Sequence, residues 1–356
     1  MRFYKEHHQF YMGIDLHART MYVCIMSNEG SVIFHKNMPS TPEHLQQVVS
    51  PYGTDIVIGV ECIFTWYWIA DFCQERSIPF VLGHALYMKA IHGGKSKTDR
   101  IDSEKIAAML RGGMFPEAYV YPKKMRATRD LLRRREYFVR HQSELYAHIE
   151  NTNSQYNYDS SLETGKMRSA TYRATLPERF CDPLAQKNIQ ADIFLANAFH
   201  SLILDIEQEI QRQAKSHDPF SLNILRSIPG VGEILSLVIL YEIEDIHRFP
   251  KVGNFISYCR LVKCAHESAG KRVTGSNNKI GNTHLKWAFS EASVFFLRKN
   301  EPAKKMHNKL VNRYGKAKAL SIIAQKLART VYYMLMRKEP FDENKFFQDG
   351  ISEPKV

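Results

Sequence analysis

Four acidic residues stand where carboxylates could bind a metal. Asp15 falls near the end of YMGIDLH (11–17), and Glu61 closes DIVIGVE (55–61). Asp99 and Asp102 lie three apart in KSKTDRIDSEKIAAML (95–110). Acids at strand ends in an α/β sheet project into the crevice where such folds place their sites. Two acids at i and i+3 of a beginning helix face the same side. Four carboxylates from three elements could hold two Mg2+ ions, which prefer oxygen ligands and bind substrate phosphates. Two such ions about 4 Å apart clamp the attacking and leaving oxygens of a phosphodiester. Asp99 and Asp102 also fit a plainer role, as first-turn acids that complement the helix dipole behind a Thr98 cap. The strand-end acids favour the metal site, because burying an unpaired carboxylate is costly. Lys95 and Lys97, just upstream, are candidate contacts to the nucleic acid that such metals would bind.

A second constellation is CRLVKCAHESAGKRVTGSNNKIGNTHLKWAF (259–289). Ser268 precedes the small residues Ala269 and Gly270, and then Lys271 and Arg272. Gly275, Lys279, Gly281 and Asn282 follow before a helix resumes near 283, and Lys271, Arg272, Lys279 and Asn282 are candidate contacts to nucleic acid. A serine on a small-residue turn, flanked by cations, could attack a phosphodiester while the cations stabilise the developing charge. The same segment also fits a glycine-rich phosphate-binding loop with a spectator serine. His266 is a candidate proton acceptor, and Glu267 a residue that caps or solvates the turn.

The chain carries 356 residues and a net charge of +12, with a pI near 9.3. That excess points to polyanionic partners, nucleic acid first. The N-terminus MRFYKEHHQFYMGIDLH lacks the continuous apolar stretch of a secretory signal. The apolar run ILSLVILYEI is too short to span a bilayer. Six cysteines without CxxC spacing suit reduced thiols better than a zinc site, so a cytoplasmic protein without a membrane partner is expected.

Around these residues the first third alternates short β-rich runs (11–17, 20–27, 31–37, 55–61, 79–83) with helical patterns near 42–50, 65–76 and 102–113. This predicts α/β architecture, a mixed sheet flanked by helices, over residues 1–122. Residues 123–155 read as one long basic helix containing Arg133, Arg134 and Arg135, candidates for nucleic-acid contact. A weakly patterned stretch (156–184) separates it from a second long helix at 191–215. The pair fits either a coiled-coil arm over 123–217 or a plain helical subdomain. The remainder, 218–356, is predicted all-α and opens on NILRSIPGVGEILSLVILYEIEDI (223–246). Two helices joined by Pro-Gly-Val-Gly suit a helix-hairpin-helix, in which Gly230 and Gly232 let the backbone approach a phosphate. A simple αα turn would use the same residues.

GIDLHA, GVE, KTDRIDSEKIA, LRSIPGVGEILSLVILYEI and ESAGKRVTGSNNKIGNTHLKWA occur in that order, and together they resemble the DEDD transposases of the insertion-sequence-110 family, the insertion-sequence-1111 subgroup included. The resemblance runs from about residue 11 to about 335. It implies a RuvC-like, RNase H-type domain, a coiled-coil arm, and a C-terminal transposase domain with a helix-hairpin-helix. It further implies that Asp15, Glu61, Asp99 and Asp102 bind Mg2+. Ser268 would be the nucleophile, followed by Lys279, Gly281 and Asn282 of the family's K-x-G-N run. By the same resemblance the protein is an RNA-guided DNA transposase acting as a serine recombinase through a phosphoserine link. Its partners would be DNA, a structured non-coding guide RNA, and further copies of itself as dimers that assemble into tetramers. Ala269 departs from the glycine or serine common after the family's serine, and 156–184 matches no family motif. Two other functions fit the residues: a RuvC-like junction nuclease using metal-activated water, and a non-catalytic nucleic-acid-binding protein.

Overall fold

The computed structural model describes residues 2–53, 55–91, 98–158, 162–262, 265–268, 271–274 and 280–348. The chain divides into two compact units, Met1–Lys124 and Met125–Val356.

In the first unit, β1 (Phe3–Tyr4) leads to β2 (Phe10–Leu16), β3 (Thr20–Ser27) and β4 (Val32–Pro39). Then come α1 (Pro42–Val49), β5 (Ile56–Glu61), α2 (Tyr67–Glu75), β6 (Phe80–Gly83) and α3 (Ala85–Ile91). α4 (Asp99–Arg111) and β7 (Phe115–Pro116) complete it, β7 pairing with β1. Five strands form a sheet in the order β4-β3-β2-β5-β6. β2, β3 and β4 are an antiparallel meander, whereas β5 and β6 run parallel to β2. The mixed α/β architecture expected for this region is present.

β2 and β5 lie at the centre, so both of their faces are covered and both read as apolar runs. Alternation divides them cleanly. Met12, Ile14 and Leu16, with Ile56, Ile58 and Val60, pack in a core with Leu45 of α1 and Ile69 and Phe72 of α2. Tyr11 and Val57 turn the other way, into a cluster with Ile106, Met109 and Leu110 of α4. Gly13 and Gly59 are register partners on that second face. There α4 lies directly on the sheet. A Cβ on Gly13 would stand 2.2 Å from the Ser103 carbonyl oxygen, and one on Gly59 2.5 Å from a Leu110 methyl. At Gly13 only a missing side chain admits the helix backbone so closely, and at Gly59 it makes room for the Leu110 side chain.

All but the first two residues of α5 (Lys123–Gln155) belong to the second unit, and the partner of α5 in an antiparallel hairpin is α7 (Pro183–His217). Contacts fix their register: Arg135 Nε donates to Glu207 Oε1 at 2.8 Å and Gln142 Nε2 to the Ala196 carbonyl at 2.8 Å. His148 Nδ1 lies 2.5 Å from Asp192 Oδ2. The segment that seemed patternless folds over the hairpin's end. It contains α6 (Ala170–Thr175) and two short 3-10 turns. Leu162, Met167, Leu176 and Phe180 pack there on Ile149, Ile189 and Ile193. Arg173 is buried within, donating to Asn197 Oδ1 at 2.6 and 2.9 Å and to the Met167 carbonyl at 2.6 Å. Its polar partners lie far apart in sequence, which is why no periodicity announced this cap.

Beyond α7 follow α8 (Pro219–Arg226), α9 (Glu233–Ile243), α10 (Val252–Tyr258) and a hairpin of β8 (Ala265–Ser268) with β9 (Lys271–Thr274). α11 (Thr283–Lys299), α12 (Glu301–Tyr314), α13 (Lys316–Arg337) and α14 (Glu343–Gln348) end the unit. Every residue of α9 from Leu235 to Ile243 is buried, making it the central helix of the core. Among the described residues α7 alone is long and apolar enough to cross a membrane. Ile203, Ile206, Ile210 and Ala214 of α7 are instead buried in the protein.

Candidate active site

Gly13 and Gly59 set the position of the acids. On β2, Asp15 lies two residues past Gly13 and therefore on the same face; on β5, Glu61 stands likewise two past Gly59. α4 begins over that end of the sheet. Thr98 caps it, its Oγ1 accepting from the Ile101 N–H at 3.3 Å, and Asp99 and Asp102 occupy the first turn. Cap and site are thus the same few residues. His35 of β4 reaches across to this turn, with Nε2 3.0 Å from the Arg100 carbonyl and 3.2 Å from Ser103 Oγ.

The four sequence-predicted acids do converge. Burial pushes the Asp15 carboxyl above the ordinary carboxylate range; Asp99, Asp102 and Glu61 push it further, against the pull of His17. A carboxyl whose proton affinity is raised by three other acids sits in a field that a cation would relieve. His17 was not singled out from the sequence. Its Nε2 stands 3.6 Å from Asp15 Oδ2 and 3.5 Å from Asp99 Oδ2, and ligand atoms of the three residues all lie within 4.8 Å of one another. The signal that could have found it is the i, i+2 spacing Asp-Leu-His at a strand end, which returns a side chain to the same face. Lys105 Nζ lies 3.6 Å from Asp102 Oδ1. This donor set of carboxylate oxygens with one imidazole fits a divalent cation.

Ser268 ends β8, in register with Lys271 of β9, and Glu267 opposes Arg272. Lys95, Lys97, Ala269, Gly270, Gly275 and Lys279 lie outside the described residues.

Other basic and polar candidates have protein partners. Sequence placed Arg133, Arg135 and Asn282 against nucleic acid; in the structure each holds a glutamate. Arg133 donates to both oxygens of Glu242, at 2.6 Å from Nε and 2.9 Å from Nη2, and Asn282 Nδ2 donates to Glu242 at 2.7 Å. Arg135 holds Glu207. A glutamate inside an otherwise apolar helix draws cations inward, because a buried carboxylate must be paired. Burial alone would raise the Glu242 pKa, but Arg133, Arg129 and Asn282 overcome it and bring it down to about 2. Arg134 is exposed and lies over the Tyr137 ring, at 5.3 Å. Gly230 has a packing role as well: its φ is +86°, and a Cβ would meet the Phe295 carbonyl group at 2.5 Å. Gly232 caps α9 without a side-chain hydrogen bond and has open space where a Cβ would be.

Comparison with known proteins agrees with this layout. Residues 12–157 match the IS110-type DEDD transposase family. Residues 222–308 match the family described as Transposase IS116/IS110/IS902. The transposase for insertion sequence element IS1111A of Coxiella burnetii is 24% identical over 339 residues, 93% of this chain and 90% of that protein. The first match includes all four acids and the second includes Ser268, in the order that the sequence presents them. The chain belongs to the IS110 family of transposases.

Proposed function

We propose that this protein is an RNA-guided DNA recombinase that cuts and rejoins strands of an insertion sequence and its target. The convergence of Asp15, Glu61, Asp99 and Asp102 on one end of a mixed sheet carries this reading. A three-strand meander followed by parallel strands is the order expected of a RuvC-like, RNase H-type domain, and it supports that assignment. Mg2+ ions held by the four acids would neutralise charge on the oxygens of the scissile phosphate. Asp15 and Glu61 present their carboxylates from rigid strands, and Thr98 fixes the turn that offers Asp99 and Asp102.

Ser268 is the nucleophile in this reading. Its Oγ forms a bond to phosphorus as the bond from phosphorus to one deoxyribose oxygen breaks. The serine proton passes to a base or water, and the departing oxygen takes one up. The reverse reaction, with a different deoxyribose hydroxyl, joins new strands without a net change in bond number. Lys271, Arg272 and Lys279 would stabilise the charged phosphate, and the open α9 N-terminus at Gly232 would hold a backbone phosphate. Lys95, Lys97 and Arg134 add positive charge for DNA or guide RNA. An apolar stripe on α7, with Leu184, Leu195 and Leu202 exposed along one face and Phe194 beside it, supports assembly with further copies of the chain.

The test is an SDS- and phenol-resistant protein–DNA adduct on labelled element-junction DNA, with the co-purifying RNA sequenced. Wild type should form the adduct, and Ser268→Ala should lose both adduct and strand exchange. Cleavage that persists in Ser268→Ala would assign the protein instead to metal-dependent nucleases, a function that the acid cluster alone could support. Activities that survive Asp15→Ala and Asp102→Ala would leave only nucleic-acid binding. A preparation without a discrete RNA would defeat the guided part.

A further inference from the structure

The stretch that carries Ser268 lies in sequence between α10, which ends at Tyr258, and α11, which Asn282 caps. The two ends are fastened to each other. The Asn282 N–H donates to the Tyr258 carbonyl at 2.6 Å, and Arg260 Nε donates to the Gly281 carbonyl at 3.0 Å. Gly281 sits at φ +102°, and a Cβ there would come within 2.6 Å of the Tyr258 oxygen, so the two ends touch backbone to backbone.

The Asn282 side chain is used completely. Oδ1 accepts from the N–H groups of His284 and Leu285, at 2.9 and 3.0 Å, and caps α11. Nδ2 donates to Glu242 at 2.7 Å and lies 3.3 Å from the Tyr258 hydroxyl. Aspartate, serine or threonine would cap a helix as well. Aspartate lacks a donor for a carboxylate, and a hydroxyl would have to cap and donate from one atom, whereas asparagine caps with its oxygen and donates from a separate nitrogen. Glu242 in turn accepts from Arg129 Nε at 3.1 Å and from Arg133, both on α5. A second bond ties the same helices, between Glu136 of α5 and His284 of α11. A buried ion cluster is a poor way to gain stability, since well-packed apolar residues do as well. What it fixes is one arrangement of the groups it joins.

We propose that Glu242 is a positioning residue for strand transfer: through Asn282 it holds together the two chain positions, Tyr258 and Asn282, between which Ser268 lies in sequence, and Arg129 and Arg133 tie that hold to the long helix α5. The proposal rests on Ser268 being the nucleophile. Misplacing a reacting group by about an ångström costs about a hundredfold in rate, so loosening this clamp should act on the chemical step more than on DNA binding.

Reversing the polarity of one hydrogen bond tests it in the full-length protein. Asn282→Asp keeps the cap but sets a carboxylate against Glu242. Glu242→Gln in that background restores a donor–acceptor pair, pointing the other way, and the original net charge beside the arginines. Adduct formation by Asn282→Asp should fall about a hundredfold, with half-saturating DNA within about twofold of wild type and faster amide exchange in residues 265–274. The double variant should recover to within about fivefold and regain exchange protection. The proposal is overturned if Asn282→Asp forms adduct at the wild-type rate. A double variant that melts like wild type and still fails to form adduct also overturns it, and this outcome decides the matter if the single variant does not fold. Ser268→Ala, run in parallel, separates the two readings. Adduct that persists there defeats the nucleophile assignment, whereas adduct lost there but untouched in Asn282→Asp defeats only the clamp.

Discussion

Burial and three neighbouring acids disfavour the ionised form of Asp15, against the pull of His17. Removing that charge should relieve the metal-free protein. Asp15→Asn is expected to raise the melting temperature in EDTA, and adding Mg2+ should stabilise wild type but not the variant. Strand cleavage should fall by at least about a hundredfold, since a missing ligand leaves the cation poorly held. Calorimetry with and without Mg2+, beside a cleavage assay, checks both. Asp15 and Glu61 could be picked out from the sequence because carboxylates are costly at the ends of apolar strands, and they drew Asp99 and Asp102 in with them. His17 and Glu242 were not: one looks like a surface histidine, the other like the polar end of an apolar run. Only the fold shows that Glu242 lies inside a helix buried on every side.

The strands and helices of the first unit followed closely from alternation and helical spacing, with β5 starting at Ile56 and α4 at Asp99, three residues before its apolar pattern begins. Thr98 explains the difference, since the cap and the acidic first turn belong to the helix although neither is apolar. The fold over 162–180 could not be read ahead, because its core joins residues from three separate segments around Arg173. Close packing of α4 on Gly13 gives a sharp prediction. Gly13→Ala sets a methyl against the Ser103 carbonyl and should cost about 1–3 kcal/mol or more by overpacking. Cleavage should fall further than this loss explains, because α4 carries two of the acids as it shifts. Urea denaturation and cleavage rates measured well below the melting temperature check the two effects separately.

The basic charge of the chain suits polyanions, and the exposed apolar stripe on α7 is the surface on which the proposed self-assembly rests. The stripe predicts that Phe194→Glu combined with Leu202→Glu lowers the assembly mass by sedimentation equilibrium while leaving the melting temperature nearly unchanged, since Phe194 is 72% exposed and Leu202 45%. An unchanged mass would locate self-association elsewhere. The Gly13–Gly59 strip reaches furthest. At Gly13 the missing side chain lets α4 rest on the strand main chain, and at Gly59 it makes room for the Leu110 side chain, so this face sets the distance between helix and sheet. Substitutions accumulating in the opposite core, around Met12, Ile58 and Phe72, can therefore change how firmly the unit folds without respacing the four acids. A lineage carrying this fold has room to drift in its interior while its chemistry keeps one gauge.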